Sequence, residues 1–129
     1  MKLEEILKKP ITILETEPVI KAAKIMDEKK IGSLIVVNKE KKLTGIITEK
    51  DIIKRFLAKD KPKSTTVKEV MSTDIITVTK DIDLDTAAEI MSKNKIRRLP
   101  IVDNGKLIGI VTARDLLENS TYFDENWLF

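Results

Sequence analysis

Two residue types that carry much of enzyme chemistry are missing from this chain of 129 residues, which contains no cysteine and no histidine. Without Cys there is no disulfide, no thiol nucleophile and no thiolate metal site. Without His the chain lacks the commonest general base and the commonest transition-metal ligand. Glutamine is also absent, while Lys, Glu and Ile are abundant, a usage that resembles thermophile proteins. Aromatic residues are scarce at 4%, and four of the five lie at Tyr122, Phe123, Trp127 and Phe129. No run approaches the ~18 apolar residues that a membrane span requires. Met1-Lys2-Leu3-Glu4-Glu5-Ile6 places charges where a signal peptide needs an apolar core. The expectation is a cytoplasmic protein without membrane association and without catalysis.

What the chain does have is charge of both signs. Its 24 basic and 21 acidic residues give a net charge of +3 and are interleaved along the sequence. That pattern describes a solvated, salt-bridge-rich surface rather than a nucleic-acid face. The length suffices for one compact unit with a real core.

The main internal feature is a repeat. Residues 11–54 overlay residues 76–118 with an offset of 65, then 64, and the slip falls in the polar run Asn38 to Lys42 against Asp103 to Lys106. Ala22-Ala23 meet Ala87-Ala88, Ile25-Met26 meet Ile90-Met91, and Gly45 meets Gly109. Thr48 and Asp51 likewise meet Thr112 and Asp115. An insertion confined to a turn, with intact flanks, marks a structural duplication.

Periodicity supplies the unit. Leu3 to Lys8 reads as a helical lead-in, followed by a strand at Ile11 to Ile13. Thr16 as cap and Pro18 in the first turn open a helix to about Lys30, with Val19, Ala22, Ala23 and Met26 on one face. Ser33 to Val37 and Leu43 to Ile47 form a hairpin, and a second helix starts near Thr48. The second copy has a lead-in at Val67 to Met71, a strand at Ile75 to Thr79 and a helix at Leu84 to Asn94. Strands at Leu99 to Val102 and Lys106 to Val111 and a helix at Ala113 to Asn119 complete it. The fold class expected is α/β (α+β type), two β-α-β-β-α repeats packed about a pseudo-twofold axis. Residues 1–60 form repeat one with its lead-in, 61–66 the linker, 67–119 repeat two and 120–129 an aromatic tail.

The duplicated Thr48-x-x-Asp51 and Thr112-x-x-Asp115 admit two compatible readings. As a capping box, each Thr accepts from a first-turn N–H and the acid reaches back, worth ~1 kcal/mol. As a ligand contact, the carboxylate accepts ribose hydroxyls while helix N–H groups face a phosphate. Arg97-Arg98 breaks the repeat symmetry, because Gly32-Ser33 occupies the equivalent place. The pair is either solvated or salt-bridged surface charge, or a phosphate clamp worth roughly 1.5–3 kcal/mol per charge-assisted bond. Asp81-Ile82-Asp83-Leu84-Asp85 lacks the Gly turn and distal Glu of a calcium loop and reads as helix-start acids.

Ile31-Gly32-Ser33-Leu34-Ile35-Val36-Val37 with Leu43-Thr44-Gly45-Ile46-Ile47-Thr48-Glu49-Lys50-Asp51 resembles a cystathionine-β-synthase (CBS) domain. So does Ile96-Arg97-Arg98-Leu99-Pro100-Ile101-Val102-Asp103 with Leu107-Ile108-Gly109-Ile110-Val111-Thr112-Ala113-Arg114-Asp115. Two in tandem resemble a stand-alone Bateman module. That resemblance implies a regulatory module binding AMP, ADP, ATP or S-adenosylmethionine in clefts between the repeats, with no required cofactor and no metal. It also implies a homodimer and a separate effector protein.

By the family's arrangement a first cleft joins Ile46, Thr48, Lys50 and Asp51 to Thr77, Val78, Arg97, Arg98 and Pro100. A second joins Ile110, Thr112, Arg114 and Asp115 to Thr12, Ile13, Gly32 and Ser33. Ile13, Ile46, Val78 and Ile110 are candidate walls for an adenine ring and equally plain core residues. The first cleft, with the arginine pair, is expected to prefer more phosphates than the second. A rival reading is an adaptor that docks a protein or nucleic acid through the tail, Tyr122 to Phe129, or the basic surface. The tail aromatics lie among acids, which disfavours nucleic acid. Nothing resembles a nucleophile–base pair, a P-loop or a metal cluster.

Overall fold

The computed structural model describes residues 2–119, which form two compact units. One unit holds residues 10–75, and the other joins residues 2–9 to residues 76–119. Each lead-in therefore packs with the repeat that does not adjoin it in this direction of the sequence: residues 2–9 go with repeat two, and residues 67–75 with repeat one.

In the first unit, β1 (Thr12–Leu14) runs parallel to β2 (Ser33–Val37), and β2 runs antiparallel to β3 (Leu43–Thr48). The crossover between the parallel strands is α1 (Val19–Lys29). It buries Val19, Ala22 and Met26 of the face expected from the sequence, while Ala23, expected on the same face, is exposed. Leu34 to Val37 are all buried, as suits the middle strand of a covered sheet. The core closes with Ile13, Ile47, Ile52 and Phe56, and with Val67, Val70 and Met71 from α3 (Val67–Val70) and its end. After β3 comes α2 (Glu49–Asp51), which continues as a π-helix over Ile52–Leu57 where a plain α-helix was expected.

The second unit carries α4 (Leu84–Asn94), the hairpin β4 (Arg98–Asp103) and β5 (Lys106–Thr112), and α5 (Ala113–Asn119). Leu84, Ala87, Met91, Leu99, Ile101, Val111 and Leu116 form its core, joined by Leu3 from a single 3-10 turn, Leu3–Glu5. The expected helical lead-in is thus shorter than Leu3 to Lys8, and Lys8 is extended.

Two expectations fail, the first for an identifiable reason. The strand expected over Ile75 to Thr79 is reduced to one parallel bridge between Val78 and Ile101. In the first unit the Ile35 N–H donates to the Ile11 carbonyl at 3.4 Å. The equivalent residue of repeat two is Pro100, which has no N–H to give. The cap of α1 is Pro18 rather than Thr16, with extended dihedrals and no side-chain bond to the helix. Its counterpart Asp83 does cap α4, accepting from the Thr86 N–H at 2.9 Å.

The lead-ins add to the outer edges of the hairpins. Ser72 exchanges bonds with Ile46 at 2.8 and 2.9 Å, and Lys8 with Ile110 at 3.1 and 3.2 Å. Ile46 and Ile110 are repeat equivalents, so Ser72 and Lys8 occupy the same structural place. A glycine sits beside each junction. A Cβ at Gly45 would lie 2.5 Å from the Met71 sulfur and 2.8 Å from the Ser72 carbonyl oxygen, whereas the atoms nearest to one at Gly109 belong to the Leu7 side chain, from 3.1 Å. Among the described residues no helix is long and apolar enough to cross a membrane.

Candidate functional site

The T-x-x-D motif forms the same device in both units. At the start of α2 the Asp51 Oδ2 accepts from the Thr48 N–H at 3.0 Å and from the Thr48 hydroxyl at 3.0 Å. The Asp51 N–H donates back to Thr48 Oγ1 at 3.1 Å. At the start of α5 the Asp115 Oδ2 accepts from the Thr112 N–H at 2.8 Å, and the Asp115 N–H donates to Thr112 Oγ1 at 3.1 Å. These bonds satisfy first-turn donors and fix each carboxylate, as a capping box does.

Hairpin register decides what lies beside each motif. Ser33 pairs with Thr48 across β2 and β3, and the Glu49 N–H donates to the Gly32 carbonyl at 3.0 Å. Arg98 pairs with Thr112 across β4 and β5, and the Ala113 N–H donates to the Arg97 carbonyl at 2.9 Å. Gly32 and Ser33 therefore adjoin the Thr48–Asp51 end of their own repeat, and Arg97 and Arg98 adjoin the Thr112–Asp115 end of theirs. The second unit gathers guanidinium groups at that end. Arg97 is exposed, Arg98 half-buried, and Arg114 exposed with its Nε 3.5 Å from Glu118. At the Asp51 end the cations are the exposed Lys50 and Arg55.

The remaining expected residues take ordinary places. Thr12 and Thr77 are exposed; Val78, Ile46 and Ile110 are half-buried; Pro100 is buried. Ile13 belongs to the core of the first unit. An open groove of about 510 Å³ between α1 and the start of α2 is lined by Gly32 together with Met26, Asp27, Lys30 and Glu49, among others, but not by Thr48 or Asp51. Tyr122 to Phe129 lie outside the described residues, as do all expectations attached to that tail. No cluster of metal-ligating side chains occurs among the described residues.

The two carboxylates differ in their second oxygen. Asp51 Oδ1 is 4.0 Å from the Arg55 Nε, and its side chain remains 13% exposed. Arg55 is itself engaged, its Nη1 donating to the Val70 and Met71 carbonyls at 3.3 and 3.0 Å. The Asp115 side chain is 1% exposed, and its Oδ1 lies against the Lys8 ammonium. Burial alone would push the Asp115 carboxyl up, but the Lys8 ammonium and the Thr112 N–H and hydroxyl outweigh it and hold it below the usual carboxylate range. The same contact, chiefly its hydrogen bond, raises the Lys8 ammonium above the ordinary lysine range. Sequence reading missed Lys8 and Arg55. Lys8 stands 107 positions from Asp115, and the only available signal was that repeat one's lead-in has a cation where repeat two's has Ser72.

The CBS domain profile matches residues 3–58 and again residues 67–122. An uncharacterized protein of Methanopyrus kandleri is 42% identical over 114 residues, covering 87% of this chain and 58% of that protein. An inosine-5′-monophosphate dehydrogenase of Methanocaldococcus jannaschii is 39% identical over 120 residues, covering 92% of this chain and 23% of the enzyme. The chain thus spans little more than half of one relative and about a quarter of the other. Among solved structures, the CBS domain pair of protein MJ0100 in complex with 5′-methylthioadenosine and S-adenosyl-L-methionine is similar with a TM-score of 0.75 and 34% identity. That likeness covers 92% of this chain and 94% of the solved one. With two matched domains filling most of its length, this chain belongs to the CBS-domain family.

Proposed function

We propose that this CBS pair is a non-catalytic regulatory module that binds an adenosine-containing ligand and reports its presence to a partner protein. The observation that carries the reading is the Asp51 carboxylate. Thr48 immobilises one of its oxygens, while the other is turned away from the capping bonds with the side chain still partly exposed. A fixed carboxylate with an available oxygen is suited to a ribose diol, because no side-chain freedom is lost when the ligand arrives. Support also comes from the MJ0100 pair, whose two bound molecules both contain adenosine.

In this proposal the ligand contacts offered by the first unit are Ile46, Thr48, Lys50 and Asp51, with Thr12, Ile13, Gly32 and Ser33. Those offered by the second unit are Ile110, Thr112, Arg114 and Asp115, with Thr77, Val78, Arg97, Arg98 and Pro100. AMP, ADP, ATP and S-adenosylmethionine are the candidate ligands, and energy sensing is the corresponding role. A homodimer belongs to the same proposal. Ile53 and Leu57 on the π-helix are 57% and 59% exposed, and a second copy is the partner that would cover them.

The test is thermal unfolding of the chain with AMP, ADP, ATP, S-adenosylmethionine and a guanosine control. A ligand at about 100 times its Kd adds ~2.7 kcal/mol, a shift of several degrees in a domain of this size. The shift is expected with an adenosine ligand and is expected to vanish in Asp51→Ala. No shift with any of these ligands would overturn the reading.

A further inference from the structure

The same structural place holds Ser72 in one unit and Lys8 in the other, and each lies alongside a hairpin that leads into a T-x-x-D motif. In the first unit this place carries no charge, and among the described residues the cation paired with the Asp51 Oδ1 is Arg55, at 4.0 Å and already bound to two carbonyls. In the second unit it carries an ammonium group, and that ammonium rests on Asp115 Oδ1. Among the described residues no backbone N–H or hydroxyl donates to this oxygen, and its carboxylate is 99% removed from solvent. The oxygen that a ligand hydroxyl needs is therefore already claimed by the chain itself.

We propose that Lys8 is a built-in competitor that closes the Asp115 site, so that the chain takes up its adenosine ligand at Asp51 alone until Lys8 is displaced. This inference rests on the reading of T-x-x-D as a ligand contact. The Lys8 side chain is 61% exposed, so it can swing into solvent without disturbing the core. Displacement would leave a rigid carboxylate, held by Thr112, on the same helix start as the exposed guanidinium of Arg114. The site would then suit an adenosine ligand that carries phosphate.

The experiment is calorimetric titration of the full chain with AMP and, separately, ATP. It uses the wild type, Lys8→Ser, which installs the residue found at the same place in the other unit, and Lys8→Arg, which keeps the cation. The expected stoichiometry is about one ligand per chain for the wild type and Lys8→Arg, and about two for Lys8→Ser, with the gained site strengthened by roughly five- to tenfold over any residual wild-type binding there. If Lys8→Ser does not fold, Lys8→Met serves in its place with the same expected gain, because it keeps most of the aliphatic stem and has neither charge nor N–H donor. Two sites of similar affinity in the wild type, or one site in every variant, would overturn the inference while leaving adenosine binding intact. No heat with either nucleotide in any variant would overturn this inference, and the adenosine reading falls with it only if the thermal screen also shows no shift with S-adenosylmethionine or ADP.

Discussion

The two repeats share the residues that shape their motif and differ in what surrounds it. Thr48 and Asp51 are bonded to each other as Thr112 and Asp115 are, to within 0.2 Å for the bond from the Thr N–H to the carboxylate. Yet Asp51 receives its neighbouring cation from its own helix, one turn on at Arg55, whereas Asp115 receives one from a lead-in strand far away in sequence. The helix position of Arg55 is Asn119 in repeat two, and that residue bonds back to the Asp115 carbonyl at 2.8 Å. A duplicated motif thus fixes local geometry, because capping needs only the motif's own atoms. The availability of the carboxylate is set by residues the duplication has not kept.

The sharpest structural difference between the units is the glycine at the lead-in junction. At Gly45 an added methyl group would meet a backbone oxygen at 2.8 Å as well as the Met71 sulfur, so the strand pairing between Ile46 and Ser72 must open. At Gly109 the nearest atoms are the Cβ and both Cδ atoms of Leu7, at 3.1 to 3.2 Å, so a shift of that residue by a few tenths of an ångström makes room. Gly45→Ala is expected to cost about 2–3 kcal/mol and Gly109→Ala no more than about 1 kcal/mol, read as midpoints in urea denaturation. Equal losses would mean that the two junctions are mechanically alike, and the contrast between the units would then be one of charge only.

A smaller effect separates the units by pH. The Asp115 carboxyl is held below its usual range, so the unfolded chain takes up a proton there before the folded one does. Its contribution to stability is therefore present above the ordinary carboxylate range and is lost as pH falls through that range toward the folded value. Asp115→Asn should lower stability at neutral pH by about 2 kcal/mol and flatten the acid side of the profile. Unfolding temperatures from pH 3 to pH 7, on the order of four units in all, would show the wild-type and variant curves converging at the acid end. Parallel curves would show that Lys8 and Thr112 do not hold the proton off this group.

Much of this was legible in the sequence, for reasons that can be named. Both long helices lie where periodicity placed them, since Val19, Ala22 and Met26, and Leu84, Ala87 and Met91, recur at helical spacing and are buried. The hairpins follow from runs of branched residues on either side of polar turns. The capping boxes were readable because their partners are three residues apart. What could not be read was long-range. No local pattern says that Lys8 crosses to Ile110, or that Ser72 crosses to Ile46. The missing strand at Ile75 to Thr79 was hidden for a related reason: its loss follows from Pro100, which lies on the strand it would have joined.

The smallest effect is expected where the two units are alike. Each long helix ends on a lysine in the left-handed region, Lys30 with φ 55° and Lys95 with φ 55°. Both backbone N–H groups are bonded to the last turn, to the Met26 and Met91 carbonyls respectively. A residue with a Cβ pays about 1 kcal/mol there relative to glycine, part of which glycine returns through the greater freedom of its unfolded chain. Lys30→Gly and Lys95→Gly should each therefore stabilise by about 0.5 kcal/mol, and by the same amount. Urea denaturation of the two single variants measures this directly. If the gains match, the backbone of the duplicated helix is energetically equivalent in both units, and the differences seen at Gly45 and Asp115 are traceable to the lead-ins. If they do not, the asymmetry reaches into the helices themselves, and the contrast between Ser72 and Lys8 is only one part of it.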